Sequence, residues 1–223
     1  MADYEALKQA VVEGKLVQVK ELTQRALSEG RAPQEILDQG LIPAMDMVGD
    51  KFECGEFYIP EMLIAARAMQ AGIALLKLLL IQEGSKPRGR VVLGTVKGDL
   101  HDIGKNLVGL MLQGGGFEVI DLGSDVPPQH FVEAVEANRP DFLMMSALLT
   151  TTMLSMNETI KALKAAGLRE RVRVAVGGAP ITQRFCDEIG ADFYAPTATW
   201  AVAKAKAMLA ASTGGAAGEN APR

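Results

Sequence analysis

The chain has 223 residues, 48% hydrophobic and 22% charged, with a formal net charge of -4. That length and composition suit one large or two small globular domains with a buried core. The acidic balance argues against a nucleic-acid binder, whose phosphate-facing surface would be basic. The start, Met1-Ala2-Asp3-Tyr4-Glu5, has neither the basic nor the apolar region of a signal peptide. The apolar run from Ala74 to Ile81 is broken by Lys77 and too short to span a bilayer, and Cys54 and Cys186 form no CxxC pair. These features predict a cytoplasmic protein with two free thiols and no membrane partner.

In chain order, the first part reads as helices throughout. Tyr4 to Val12 is a short first helix. Leu16 to Leu27 carries apolar residues near helical spacing and ends at Gly30. Pro33 suits a first helical turn, and a third helix runs on through Ile36, Leu41, Met45 and Val48. Pro60 starts a fourth, reaching Leu80. The expectation is a four-helix bundle over residues 1–84. The segment Gln82 to Gly89, polar with two glycines and a proline, reads as a linker.

Beyond it, strand-length apolar runs alternate with helical patterns. The strands are expected at Val91–Val96, Val119–Leu122, Phe142–Ser146, Val172–Val176 and Phe193–Ala195. The helices are expected at Ile103–Leu112, Gln129–Ala137, Met153–Ala166, Thr182–Ile189 and Trp200–Ala210. This alternation predicts βαβ units and a five-stranded parallel sheet of flavodoxin-like α/β type over residues 85–212. Such folds bind ligands beyond the carboxyl ends of their strands. The small, polar tail that begins near Ala211 is expected to be disordered over residues 213–223.

The first strand ends in Gly94-Thr-Val-Lys-Gly-Asp-Leu-His-Asp-Ile-Gly-Lys-Asn106. It is not a Walker A loop: five residues separate Gly98 from Gly104, and Asn106 stands where a Mg²⁺-binding hydroxyl is needed. GxGxxG is also absent. What remains is Asp99-x-His101-x-x-Gly104. Imidazole ligates transition metals, a carboxylate commonly takes its other N–H, and glycine allows a bulky ligand to approach. The only other histidine, His130, follows two prolines at a helix start. A site with one histidine makes sense for a metal whose other ligands come from a macrocycle. At the same end of the sheet come Ser146-Ala-Leu-Leu-Thr-Thr-Thr152, rich in hydroxyls, and Gly177-Gly178. Neither loop is specific alone.

Taken together, Asp-x-His-x-x-Gly, Ser-x-Leu and Gly-Gly on these strands resemble the cobalamin-binding domain of corrinoid methyltransferases. The block from Val48 to Glu61 (Val-Gly-Asp-Lys-Phe-Glu-Cys-Gly-Glu-Phe-Tyr-Ile-Pro-Glu) resembles the helical cap found in methionine synthase and in small corrinoid proteins of methylotrophic pathways. The resemblance spans roughly residues 5 to 210. It implies cobalamin bound base-off, with His101 as the lower axial ligand to cobalt. Asp99 would bond to the far nitrogen of His101, and Thr152 to Asp99. The run Asp99, Leu100, His101, Asp102, Ile103 and Gly104 would lie against the cofactor. Ser146, Leu148 and Thr150 would line the nucleotide tail or corrin edge, with Gly177 and Gly178 packed on the tail. Phe52 and Ile59 would cover the upper face. One departure is Ala195-Pro-Thr-Ala198, where the family pattern leads one to expect an aspartate before the alanine.

The function so implied is a corrinoid methyl carrier, holding methylcobalamin between transfers. A substrate-specific corrinoid methyltransferase would load it, a second methyltransferase would deliver the methyl group to tetrahydrofolate or a thiol, and a reductive activator would rescue oxidised cobalt. The alternatives from other classes are a cobalamin-dependent sensor or regulator and an adenosylcobalamin mutase subunit. The sensor needs a DNA-binding module for which the chain has no room, and the mutase core lacks this cap.

Overall fold

The computed structural model describes residues 3–84 and 86–214. By its contacts the chain divides into two compact units: Met1–Arg88 with Leu110–Glu118, and Gly89–Gly109 with Val119–Arg223. The division is thus not a single cut in the linker. The end of the first α/β helix groups with the helical unit, where the Gln70 amide donates to Gln113 at 2.9 Å.

The helical unit holds α1 (Tyr4–Val12), α2 (Leu16–Ser28), α3 (Pro33–Ile36), α4 (Ile42–Glu53) and α5 (Ile59–Gln82). The Asp3 carboxylate accepts from the Ala6 N–H and so caps α1. The expected third helix is interrupted: Leu37–Leu41 form a π turn between α3 and α4. Pro43 has no N–H for the Gln39 carbonyl, and its ring crowds that turn, so the helix widens just before it and the Ile42 N–H reaches back to the Leu37 carbonyl. Ile59–Leu80 of α5 has a mean hydropathy of 1.7 and is long enough to cross a membrane by length and composition, more than the short run at Ala74–Ile81 suggests. Alanines between the larger residues extend the apolar stretch, in which Glu61, Arg67 and Lys77 are the only charges. Met62, Ala65, Met69 and Leu76 of this helix are buried in the bundle core.

The α/β elements are β1 (Arg90–Thr95), α6 (Ile103–Gly114), β2 (Glu118–Asp121), α7 (Pro128–Asn138), β3 (Phe142–Ser146), α8 (Met153–Ala165), β4 (Arg173–Gly177), α9 (Gln183–Ile189), β5 (Phe193–Tyr194) and α10 (Ala198–Gly214), all in the second unit except the end of α6 and the first residue of β2. The sheet order is β2-β1-β3-β4-β5. β1 pairs with β3, β3 with β4 and β4 with β5, all parallel. This is the flavodoxin-like order, with its switch point between β1 and β3. Residues 91–95 of β1 and 142–145 of β3 are continuously buried, as parallel strands covered on both faces must be. One core cluster joins Val92, Leu143, Val174 and Val176 of the sheet to Phe131 of α7, Ile160 of α8 and Cys186 of α9. The α10 helix continues past Ala211, where the polar tail was expected to begin, because its alanine-rich sequence favours helix to Gly214. The rest of the expected tail, 215–223, lies outside the described residues.

Candidate functional site

The end of β1 turns sharply. Gly98 takes φ +82°, and the Asp99 N–H donates back to the Val96 carbonyl at 3.1 Å. The turn sends the Asp99 side chain into the protein, where the residue is fully buried. A buried carboxylate is costly unless its oxygens are satisfied, and these are. Oδ1 accepts from the His101 backbone N–H at 3.0 Å and bonds His101 Nδ1 at 2.8 Å. Oδ2 accepts from the Leu148 N–H at 2.7 Å, the Leu149 N–H at 3.3 Å and the Thr152 hydroxyl at 2.7 Å. Burial by itself would raise the Asp99 pKa. The bonds from Leu148, Thr152 and His101 outweigh it and hold the carboxyl well below the usual carboxylate range. An ionised carboxylate only accepts, so Nδ1 of His101 carries a proton, and in the neutral imidazole it is Nε2 that keeps its lone pair. The His101 side chain is 52% exposed, which leaves that lone pair available to a ligand from solvent.

Exposed apolar residues flank His101 in the chain and occur in and just after the loop that binds Asp99. Leu100 and Ile103 are more than 70% exposed, and Leu148, Leu149 and Leu154 are also exposed. Among the described residues no group of three His, Cys, Asp or Glu side chains could hold a metal ion. An imidazole with a free Nε2, unaccompanied by other protein ligands and fringed by exposed leucines, fits a metal that arrives in a flat apolar macrocycle. Gly104, in the first turn of α6, has nothing within 4 Å of where a Cβ would sit, so nothing in the chain itself requires glycine there.

The remaining site residues named from the sequence fall as follows. Ser146 ends β3, half-buried, and Thr150 is exposed in the following loop. Asp102 precedes α6 and accepts from the Asn106 backbone and amide side chain. Gly177 ends β4 and Gly178 follows it; Gly178 has φ +124°, and a Cβ there would stand 1.9 Å from the Ala147 carbonyl oxygen. That glycine is required by the neighbouring loop itself, a reason the sequence did not disclose. Phe52 of α4 is half-buried and Ile59 at the start of α5 is exposed; both belong to the helical unit. His130 is exposed on α7.

Three residues make contacts that were not anticipated. The buried Thr95 hydroxyl donates to the His101 carbonyl at 3.0 Å. Asp125, in the loop after β2, accepts from the Gly98 N–H at 2.7 Å and donates its own N–H to the Asp99 carbonyl at 2.9 Å. Lys105 of α6 is buried, with its ammonium bonded to Asp121 and Asn106. The aspartate in Gly123-Ser-Asp125 was a usable signal for a turn, but the residue it braces is set by strand order.

Comparison with known proteins places these observations. A family described as B12 binding domain matches residues 89–203, and a second model of that description matches residues 4–77. The dimethylamine corrinoid protein 3 of Methanosarcina acetivorans is 46% identical over 212 residues, 94% of this chain and all of that protein. A cobalamin-binding protein from Desulfitobacterium hafniense aligns with a TM-score of 0.78 at 34% identity, covering 93% of this chain and 98% of the other. The methanol:cobalamin methyltransferase complex of Methanosarcina barkeri contains a chain that aligns with a TM-score of 0.83 at 32% identity, over 93% of this chain and 79% of that one.

Proposed function

The chain belongs to the corrinoid proteins, with a B12 binding domain over 89–203, and from that premise we propose that it carries a methyl group on cobalt held by His101. The observation that carries this reading is the relay from Thr152 through Asp99 to His101, which leaves Nε2 free at a leucine-fringed surface. The corrinoid, when bound, supplies the cobalt that takes up and gives away the methyl group. His101 would hold the cobalt through Nε2. Asp99 keeps the proton on Nδ1 and fixes the ring's direction, while Thr152 and the Leu148 N–H hold the carboxylate ionised. Leu100, Ile103, Leu148 and Leu154 keep water from the ligand's edge. By the family resemblance, Ser146, Thr150, Gly177 and Gly178 would line the nucleotide tail, and Phe52 and Ile59 would be the residues of the helical unit assigned to the face that exchanges the methyl group. The loading partner is a substrate-specific methyltransferase acting on a methylated amine, the class named for the 46% identical relative. A second methyltransferase removes the methyl group to a thiol or tetrahydrofolate, a reductive activator restores oxidised cobalt, and the cycle runs in the cytoplasm.

The test is spectroscopic. His101→Ala, still folded by circular dichroism, is expected to bind cobalamin with the visible and electron paramagnetic resonance spectra of cobalt lacking imidazole. Asp99→Asn should retain ligation but lose about 10–100-fold in affinity. Spectra of His101→Ala identical to those of the parent protein would overturn the assignment.

A further inference from the structure

We propose that Asp125 and Thr95 are positioning residues for the His101 ligand, forming a clamp from β1 and the loop after β2 that presets the imidazole before any cofactor arrives. The inference rests on His101 being the metal ligand and extends the site beyond Asp99 and Thr152.

The geometry comes from two directions. The segment Gly98–His101 must leave the end of β1, reverse, and present its imidazole outward while its carboxylate neighbour points inward. The bonds that the Asp99 carboxylate makes hold the His101 imidazole and the His101 N–H. They do not fix the main chain at Gly98 or at the His101 carbonyl. Asp125 holds the main chain at Gly98. Its carboxylate accepts from the Gly98 N–H at 2.7 Å and its own N–H donates to the Asp99 carbonyl at 2.9 Å, so one residue brackets the turn on both sides. Thr95 holds the other point, with its buried hydroxyl on the His101 carbonyl at 3.0 Å.

The clamp is itself anchored. The Thr95 N–H donates to the Gly123 carbonyl at 2.9 Å, the Thr95 carbonyl accepts from the Val126 N–H at 3.0 Å, and Val96 bridges Val126 in parallel. Asp125 stands between these two ties with φ +56°, one of two non-glycine residues with positive φ among those described. An L side chain is disfavoured in that conformation, and aspartate and asparagine are the types that tolerate it. The backbone strain and the two bonds to the His101 segment occur at the same residue. A turn that served only to connect β2 to α7 would be satisfied by glycine.

The consequence is a ligand whose ring position is held at both ends. Asp99 sets the ring's rotation and tautomer, and the clamp sets where the main chain carries it. Loss of the clamp should therefore weaken axial ligation while leaving the Asp99–His101 bond intact.

Four variants decide this, each loaded with hydroxocobalamin, reduced to the divalent state, and compared with the parent. Asp125→Gly keeps the backbone conformation and removes the carboxylate. Thr95→Val keeps the shape and removes the hydroxyl. Asp125→Asn keeps an acceptor oxygen and tolerance of positive φ. His101→Ala is the reference for absent ligation. Asp125→Gly and Thr95→Val are expected to show a reduced fraction of cobalt with imidazole-nitrogen superhyperfine splitting, and affinity lowered by about 3–10-fold, below the loss for a direct carboxylate partner. Asp125→Asn should restore the parent spectrum. In cofactor-free protein, Asp125→Gly should speed hydrogen exchange of the Gly98 amide at least about fivefold, the factor that corresponds to a lost bond of about 1 kcal/mol. If Asp125→Gly fails to fold, Thr95→Val carries the ligation test. Parent-like splitting and affinity in the folded variants, with His101→Ala clearly altered, would overturn the clamp alone. An unaltered His101→Ala would instead overturn the ligand assignment beneath it.

Discussion

Two cysteines of the same chain differ because of where the fold puts them. Cys54 is exposed after α4, and Cys186 is fully buried in α9. Burial, with Asp187 and Asp192 nearby, pushes the Cys186 thiol up to about 11. An unfolded cysteine loses its proton near 8.5. Between those values the unfolded chain binds fewer protons, so this residue's contribution to stability is intact below about pH 8.5 and declines as pH rises toward 11. A thiol reagent at pH 8 should therefore label Cys54 promptly and Cys186 only at the rate of unfolding. Cys186→Ala should flatten the alkaline fall in urea-melt stability, after an initial loss from the vacated volume. Equal labelling of both thiols in folded protein would contradict the burial assigned to α9. Residue identities do not reveal this difference, since both cysteines are alike until α9 packs against the sheet. The pairing of Asp99 with His101 was legible because the partners are two residues apart. The parts of Thr95 and Asp125 were not, since Asp125 reaches the turn from across the β1–β2 edge.

The elements show which glycines serve the fold and which are free of it. Gly178, after β4, stands against the Ala147 carbonyl with φ +124°, whereas Gly104 in α6 has open space around it. Gly178→Ala must displace one loop or the other and should cost several kcal/mol in a urea melt, on the order of other backbone-strain substitutions. The displaced segment includes Ala147, whose neighbour Leu148 donates to Asp99, so cobalt ligation should weaken with it. Gly104→Ala should leave stability unchanged or raise it by up to about 1 kcal/mol, since alanine favours helix. If a macrocycle lies against α6, the same substitution should lower corrinoid affinity. Stability unchanged together with parent-like affinity would remove Gly104 from the cofactor's footprint. Periodicity located α6 and β4 but could not separate these roles, because both glycines look alike beside a polar loop. It likewise read Pro33 to Val48 as one helix, although Pro43 made the π turn at Leu37–Leu41 foreseeable.

At the scale of the whole molecule, the candidate reactive centre among the described residues is the one built around His101. The described residues hold the Asp99–His101 pair and no three-residue metal cluster. Purified, corrinoid-loaded and reduced protein is therefore expected not to turn over dimethylamine or another methylated amine alone. Addition of its methyltransferase should transfer methyl to this chain, followed anaerobically by visible spectra. Repeated turnover with donor and acceptor and no second protein would refute the carrier role. The sequence by itself determined the α/β alternation, the parallel sheet and the pairing of Asp99 with His101, because hydrophobic period and short-range spacing are local properties. It determined the family as well, through motif blocks at both ends of the chain. The family resemblance also named Thr152 as the partner of Asp99, 53 residues away, and the structure shows that bond. Only the tertiary structure decided that Asp125 brackets the turn before His101 and that Gly178 is compelled by Ala147. Those outcomes depend on the order β2-β1-β3-β4-β5, which brings separate loops to one edge of the sheet. That order follows from packing helices on both faces, a long-range solution that no local window of residues encodes.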